Sequence, residues 1–187
     1  MKVLVINNYD SFVYNLVHMI YQLGATQIDV VMNDKIDFTQ VEKYDKILLS
    51  PGPGIPAEAG MMPELLRAFY PTKSILGVCL GHQAIAENFG GTLHNLSEPL
   101  HGIASSAKLV EQDYLFENMP ESFKIGHYHS WVVNQELPRE LIVTAVDEQN
   151  NIMALKHEKY DVRGVQFHPE SVLTEQGKTI LNNWIKH

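Results

Sequence analysis

A single cysteine, Cys79, stands in 187 residues. No internal disulfide can form, and a reducing cytoplasm is the expected setting. Positive charge is scarce too: 14 Lys and Arg against 22 Asp and Glu leave a formal net charge of −8. No basic cluster breaks that balance, so neither a nucleic-acid backbone nor an anionic membrane is expected as a partner. Long apolar runs are missing. The N-terminal run stops at Asn7, Asn8 and Asp10, short of a signal peptide's apolar region and far short of a membrane span. It reads as a first buried strand. Neither Gly-x-x-x-x-Gly-Lys-Ser/Thr nor Gly-x-Gly-x-x-Gly after the first strand occurs, which removes the two commonest phosphate cradles. The histidines show no spacing typical of a metal site. His127-x-His129 could chelate from one strand face, but no cysteine or carboxylate stands near it in a familiar pattern. No metal and no cofactor are expected. Repeats, low-complexity tracts and linkers are absent, and 45% hydrophobic residues suffice for one globular domain spanning 1–187.

What is present is an alternation. Lys2 to Asn7 reads as a strand, then a helix runs from about Ser11 with Phe12, Val13, Leu16, Val17, Ile20 and Leu23 on one face and Gly24 as its stop. Ile28 to Val31 and Lys46 to Ser50 read as further strands, the latter entering the loop Pro51-Gly52-Pro53-Gly54-Ile55-Pro56. Pro63 opens a short helix, Ser74 to Cys79 is another strand, and the next helix ends at Gly90-Gly91. Strands apolar throughout, alternating with helices, imply an α/β fold: an open, mostly parallel sheet covered on both faces. In the second half, Lys108–Glu111, Phe123–His129, Leu141–Asp147, Ile152–Lys156 and Arg163–Phe167 read as strands at short spacing. They are expected as antiparallel additions, followed by a closing helix from about Glu175 to Ile185 capped by Thr174.

Gly77-Val78-Cys79-Leu80-Gly81 lies where an apolar strand meets a helix. A Gly-x-nucleophile-x-Gly turn is sharp and strained, and small flanking residues are needed where the two backbones crowd. A free cysteine is only about 3% thiolate at pH 7, so a helix N-terminus beside it is expected to favour the reactive form. A lone cysteine is more often a small buried hydrophobe; the two glycines and the helix start tip the balance toward a nucleophile. His168-Pro169-Glu170 follows the strand Gly164–Phe167. Residues two apart in extended chain point the same way, so Glu170 can hold the His168 imidazole, and Pro169 stiffens the pair. By itself such a pair is usually a solvated surface contact; at a strand end, in a chain with one elbow cysteine, it supplies base and orienter. Gly52, Pro53 and Gly54 follow the third strand at the edge where open α/β sheets bind ligands. An ordinary tight turn is the plain alternative. As an oxyanion hole, the N–H groups of Gly54 and Leu80 are the candidate donors.

Gly-Val-Cys-Leu-Gly-His-Gln at 77–83 and Gln-Phe-His-Pro-Glu-Ser at 166–171 resemble the two signature segments of the class I (triad-type) glutamine amidotransferases, and the resemblance spans the chain. Asn8-Tyr9-Asp10-Ser11-Phe12, Ser50–Gly54, Ala59-Gly60, His101-Gly102 and Tyr128-His129-Ser130 are similar to the small subunits of anthranilate synthase and aminodeoxychorismate synthase. The resemblance implies a flavodoxin-like sheet, Cys79 as nucleophile, His168 as acid/base and Glu170 as its orienter. Gly52, Gly54, Leu80, Gln83, Ser130 and Trp131 would then line the site for glutamine. Asn8, Tyr9, Asp10 and Ser11 are expected to contact a partner. Three residues depart from the family's pattern: Asn8 where aspartate is usual, Val13 for a common threonine, and Ile103 where lysine is typical. Ammonia released from glutamine needs an acceptor site that this domain has no room for. The implied partner is therefore a chorismate-using synthase large subunit, serving tryptophan synthesis in the first reading and folate synthesis, or both, in the alternative. A non-catalytic protein on the same fold would be expected to lack one of the triad residues, and a stand-alone γ-glutamyl peptidase does not account for the N-terminal segment.

Overall fold

The computed structural model describes residues 1–187. Nine strands form one sheet in the order β2-β1-β3-β4-β9-β8-β7-β5-β6. β1 (Lys2–Asn7), β2 (Gln27–Met32), β3 (Lys46–Leu49) and β4 (Ser74–Val78) pair in parallel. The apolar runs in these strands exist because both faces are covered. Val3 and Val5 pack into one core layer of 24 buried residues, while Leu4 and Ile6 enter another of 22 on the opposite face. Helices α1 (Val13–Gln22) and α5 (Gly177–Lys186) close the first layer through Val13, Leu16, Ile20, Ile180, Leu181 and Trp184. Helices α2 (Phe38–Val41), α3 (Met62–Phe69) and α4 (Leu80–Asn88) close the second. Each aliphatic side chain so enclosed contributes roughly 1.5–3 kcal/mol relative to exposure. No helix is long and apolar enough to cross a membrane.

The antiparallel part comprises β5 (Leu93–Leu109), β6 (Ser122–Val133), β7 (Leu141–Asp147) and β8 (Ile152–His157). Two expectations need correcting here. The strand expected at Lys108–Glu111 overlaps only the end of a 17-residue strand that stops at Leu109. Most of that strand is solvent-exposed and shows no regular apolar alternation to read. Its pairing with β6 breaks between Asn95 and Leu100 and again between His101 and Ile103. The last strand, β9 (Val162–Val165), is antiparallel only to β8; on its other side it runs parallel to β4. That direction decides the site. Parallel pairing with Val78 opposite Val165 brings the residues after both strands to the same edge of the sheet.

The closing helix begins two residues later than expected, and Thr174 does not cap it. Its N-cap, Gln176, makes no side-chain cap. The Thr174 hydroxyl instead donates to the His168 carbonyl at 2.6 Å and accepts from the Gly126 N–H at 3.0 Å. The loop that carries the histidine is thereby tied to β6.

Candidate active site

Cys79 joins β4 to α4 at φ 52°, ψ −99°, a conformation that costs on the order of 1–3 kcal/mol and persists only when its surroundings impose it. The glycines on either side show what does so. A Cβ on Gly77 would lie 2.4 Å from the Gly81 backbone, and one on Gly81 would lie 2.5 Å from the Leu49 carbonyl oxygen. Strand and helix therefore approach as closely as only glycine allows. The Cys79 N–H donates to the Val165 carbonyl at 2.8 Å, which anchors the elbow to β9. The thiol is free and nearly buried, 5% exposed.

Three residues beyond β9, the His168 imidazole is buried, with Nδ1 2.6 Å from Glu170 Oε1. Both side chains are almost fully enclosed. The Tyr128 ring packs edge-on against the imidazole with centroids 4.9 Å apart. Burial alone would lower the His168 pKa; the Cys79 sulfur and the Glu170 carboxylate outweigh it and push the value up to about 10. Nε2 itself has no aligned hydrogen-bond partner, the loose geometry usual before substrate binds. The structure thus brings together Cys79, His168 and Glu170, the expected nucleophile, base and orienter, which the sequence sets 89 and 91 positions apart.

The glycine loop lies beside the elbow. A Cβ on Gly52 would meet the Leu80 side chain at 2.9 Å and Asn8 at 2.5 Å. Gly54 has φ +72°, and its N–H makes no backbone hydrogen bond. Leu80 opens α4, where a first-turn N–H has no intrahelical acceptor. Both candidate oxyanion donors are therefore uncommitted, while Pro53 and Gly54 face solvent. From the other side, Gln83 reaches across with Nε2 2.9 Å from the Trp131 carbonyl, so the expected residues Gln83, Ser130 and Trp131 are neighbours of one site. Ser130 is half-buried beside it.

Asn8 is a correction. Expected at a partner surface, it is 2% exposed. Its Nδ2 donates to the Ser50 carbonyl at 2.8 Å, and its Oδ1 accepts from Asn33 at 3.0 Å. An aspartate could not make the first of these bonds, so an amide at this position has a local cause. Tyr9 is exposed with its hydroxyl 2.9 Å from Asp34, and Ser11 is exposed as well. Asp10 accepts from the Phe12 N–H but caps no residue of α1.

Sequence reasoning assigned no site role to Gln166 or Tyr128, and it placed Phe12 on the apolar face of α1, whereas Phe12 precedes the helix and is exposed. Gln166 is fully buried, with Nε2 3.6 Å from the Cys79 sulfur. A lone amide ending an apolar strand was its signal, since such a group is buried only where it is hydrogen-bonded. Phe12 and Tyr128 pack at 5.8 Å and line, with His168, Ser171 and Val172, a cleft of about 150 Å³. A larger hollow of about 880 Å³ lies between residues 109–121 and Arg163. Arg163 is near the start of β9, away from the edge that carries Cys79, so that hollow has no part in this site.

A buried thiol on a strained elbow, an imidazole beside it whose pKa is raised, and free backbone N–H groups suit attack on an amide carbonyl. Residues 4–187 match the family described as glutamine amidotransferase class-I. The chain belongs to that family. As a class-I glutamine amidotransferase it resembles anthranilate synthase component 2 of Thermus thermophilus, 44% identical over 193 residues covering 100% of this chain and 92% of that protein. The corresponding proteins of Saccharolobus solfataricus and Lactococcus lactis are 43% and 41% identical, covering 97% and 98% of this chain and 96% and 93% of theirs. The amidotransferase fold recurs in a crystal structure of a glutamine amidotransferase from Thermotoga maritima, with TM-score 0.80 at 16% identity, covering 100% of this chain and 96% of that one. It recurs also in a structure from Thermoplasma acidophilum, with TM-score 0.89 at 24% identity, covering 100% and 92%.

Proposed function

We propose that this amidotransferase is the glutamine-hydrolysing subunit of an anthranilate synthase, working in the cytoplasm and passing ammonia to a chorismate-using partner chain for tryptophan synthesis. The observation that carries the reading is similarity above 40%, over nearly the whole length of both chains, to proteins named anthranilate synthase component 2. The site accounts for the chemistry. Cys79 thiolate attacks the side-chain amide carbon of glutamine, and the N–H groups of Gly54 and Leu80 hold the oxyanion. The His168 imidazolium gives its proton to the departing nitrogen, ammonia leaves, and a γ-glutamyl thioester remains on Cys79. His168 then takes a proton from water as the water attacks the thioester, so glutamate leaves and the thiol is restored. Glu170 keeps Nε2 of the imidazole turned toward the sulfur.

Where ammonia goes is supported by the surface beside the site. Phe12 is 42% exposed, Val172 is 98% exposed, and both rim the cleft that reaches His168. An apolar rim at a catalytic opening suits a docked protein better than open water. The test is Cys79→Ser in the assembled complex. Glutamine-dependent synthesis is expected to vanish while synthesis from added ammonium survives, because only amide cleavage needs the thiolate. Loss of both would make Cys79 an assembly residue and overturn the reading.

A further inference from the structure

Beneath the site, two buried histidines on β6 are joined to each other. His127 Nδ1 lies 2.9 Å from His129 Nε2. His129 Nδ1 is 3.0 Å from the Trp131 carbonyl, and His127 Nε2 is 2.6 Å from the Ser105 hydroxyl. The proton positions follow from one fixed end. A carbonyl only accepts, so His129 Nδ1 carries the hydrogen, and in a neutral ring Nε2 must then accept. His127 donates from Nδ1 and accepts at Nε2 from Ser105. Burial keeps both rings neutral, pushing His129 down to about 3 and lowering His127 as well. The bonds therefore run in one direction, from Ser105 to Trp131.

The Trp131 carbonyl has two lone pairs, and the second accepts from Gln83 Nε2 at 2.9 Å. The same Nε2 donates to Gln166 Oε1 at 3.2 Å, which leaves Gln166 Nε2 facing the Cys79 sulfur at 3.6 Å. Gln83, Gln166, His127 and His129 are all buried, so none can exchange its partner for water. We propose that His127 and His129 are positioning residues of the amidotransferase: by locking the Trp131 carbonyl they orient Gln83 and Gln166, so that the Gln166 amide donates to the reactive sulfur. The two rings stand at the far end of this hydrogen-bonded run from the sulfur, and they reach it through Gln83 and Gln166.

Alkylation of Cys79 by iodoacetamide tests this in the whole protein, because the reagent needs the thiolate but not the glutamine site. His129→Ala is expected to slow alkylation and single-turnover thioester formation alike, each about tenfold, the effect of losing one hydrogen bond to a charged group. His129→Asn, whose amide can still donate to the Trp131 carbonyl, should restore most of both rates. Gln166→Leu should be at least as slow, and adding His129→Ala to it should cost nothing more, since coupled residues are not additive. An unchanged alkylation rate, failure of asparagine to rescue, or additive losses would overturn the proposal. If His129→Ala does not fold, His127→Ala reads the same relay one bond further out: a smaller slowing supports it and an unaltered rate refutes it. Wild-type chain that alkylates but releases no glutamate would instead count against the glutamine chemistry itself.

Discussion

Glu170 Oε1 lies 2.6 Å from His168 Nδ1 with only Pro169 between the two residues. The contact is local, fixed by extended backbone and a rigid proline, and it leaves Nε2 as the only ring nitrogen free to move protons. In the proposed mechanism His168 performs the transfer and Glu170 orients it, so His168→Ala is expected to be the more damaging change. Removing an orienter can itself cost about 10⁴-fold, and the prediction concerns rank. Single-turnover thioester formation measures it. Equal or reversed losses would contradict the assignment.

That pair was legible in the sequence because nothing distant is needed to form it. The elbow was legible for the same reason: Gly77 and Gly81 advertise a backbone approach that the structure measures at 2.4–2.5 Å for a would-be Cβ. The direction of β9 was not. Its antiparallel turn back from β8 is short and local, whereas its parallel partner β4 lies more than 80 residues earlier and leaves no trace in the residues of β9. Asn8 was misplaced because a polar residue after a strand looks exposed, and only the packing of Ser50, Asn33 and Met62 around it shows otherwise. Gln166 stood inside a quoted motif without a role until the sulfur was seen beside it.

The charge on His168 can be measured directly. Its pKa is raised from 6.5 to about 10, against the lowering effect of burial, by Cys79 and Glu170. A raised folded-state value means that the pair's contribution to stability is fully present below pH 6.5 and is lost as pH rises through about 10. In ¹⁵N-histidine NMR the His168 ring is expected to remain doubly protonated at pH 7–8 and to titrate far above an exposed histidine. Cys79→Ala removes one of the two groups that raise it and should bring the midpoint down. A wild-type midpoint near 6.5 would show that no ion pair forms.

Two glycine substitutions separate crowding from conformation. Gly81→Ala would force a Cβ to within 2.5 Å of the Leu49 carbonyl and push the helix off the elbow. It should lose about 1–3 kcal/mol of stability and nearly all glutaminase activity. Gly90 has φ +97° but nothing within 4 Å of its would-be Cβ. Gly90→Ala should cost about 1–2 kcal/mol through the left-handed backbone alone and leave kcat intact. Chemical denaturation and glutamate release distinguish the two. Equal activity in both variants would separate the elbow's strain from its function.

For the proposed partner chain, the turn after β1 offers a lever on the site. Tyr9 is 58% exposed at φ 58°, and its ring reaches Asp34 across the surface. Asn8, directly behind it, holds the Ser50 carbonyl and leaves no room for a side chain at Gly52. A push on the exposed turn Tyr9-Asp10-Ser11 therefore passes through a buried amide to the loop that carries the Gly54 N–H. A donor misplaced by about an ångström can cost on the order of 10²-fold, so a small movement of this loop would suffice to switch hydrolysis on. A plainer role for this turn, capping α1, is weakened by the absence of any side-chain cap there. The isolated chain is expected to release glutamate slowly, and the complex about 10²-fold faster by the same reasoning. Tyr9→Ala should shrink that gain while leaving the slow rate of the isolated chain unchanged. An isolated wild-type chain that already hydrolyses glutamine at the complex's rate would rule the switch out.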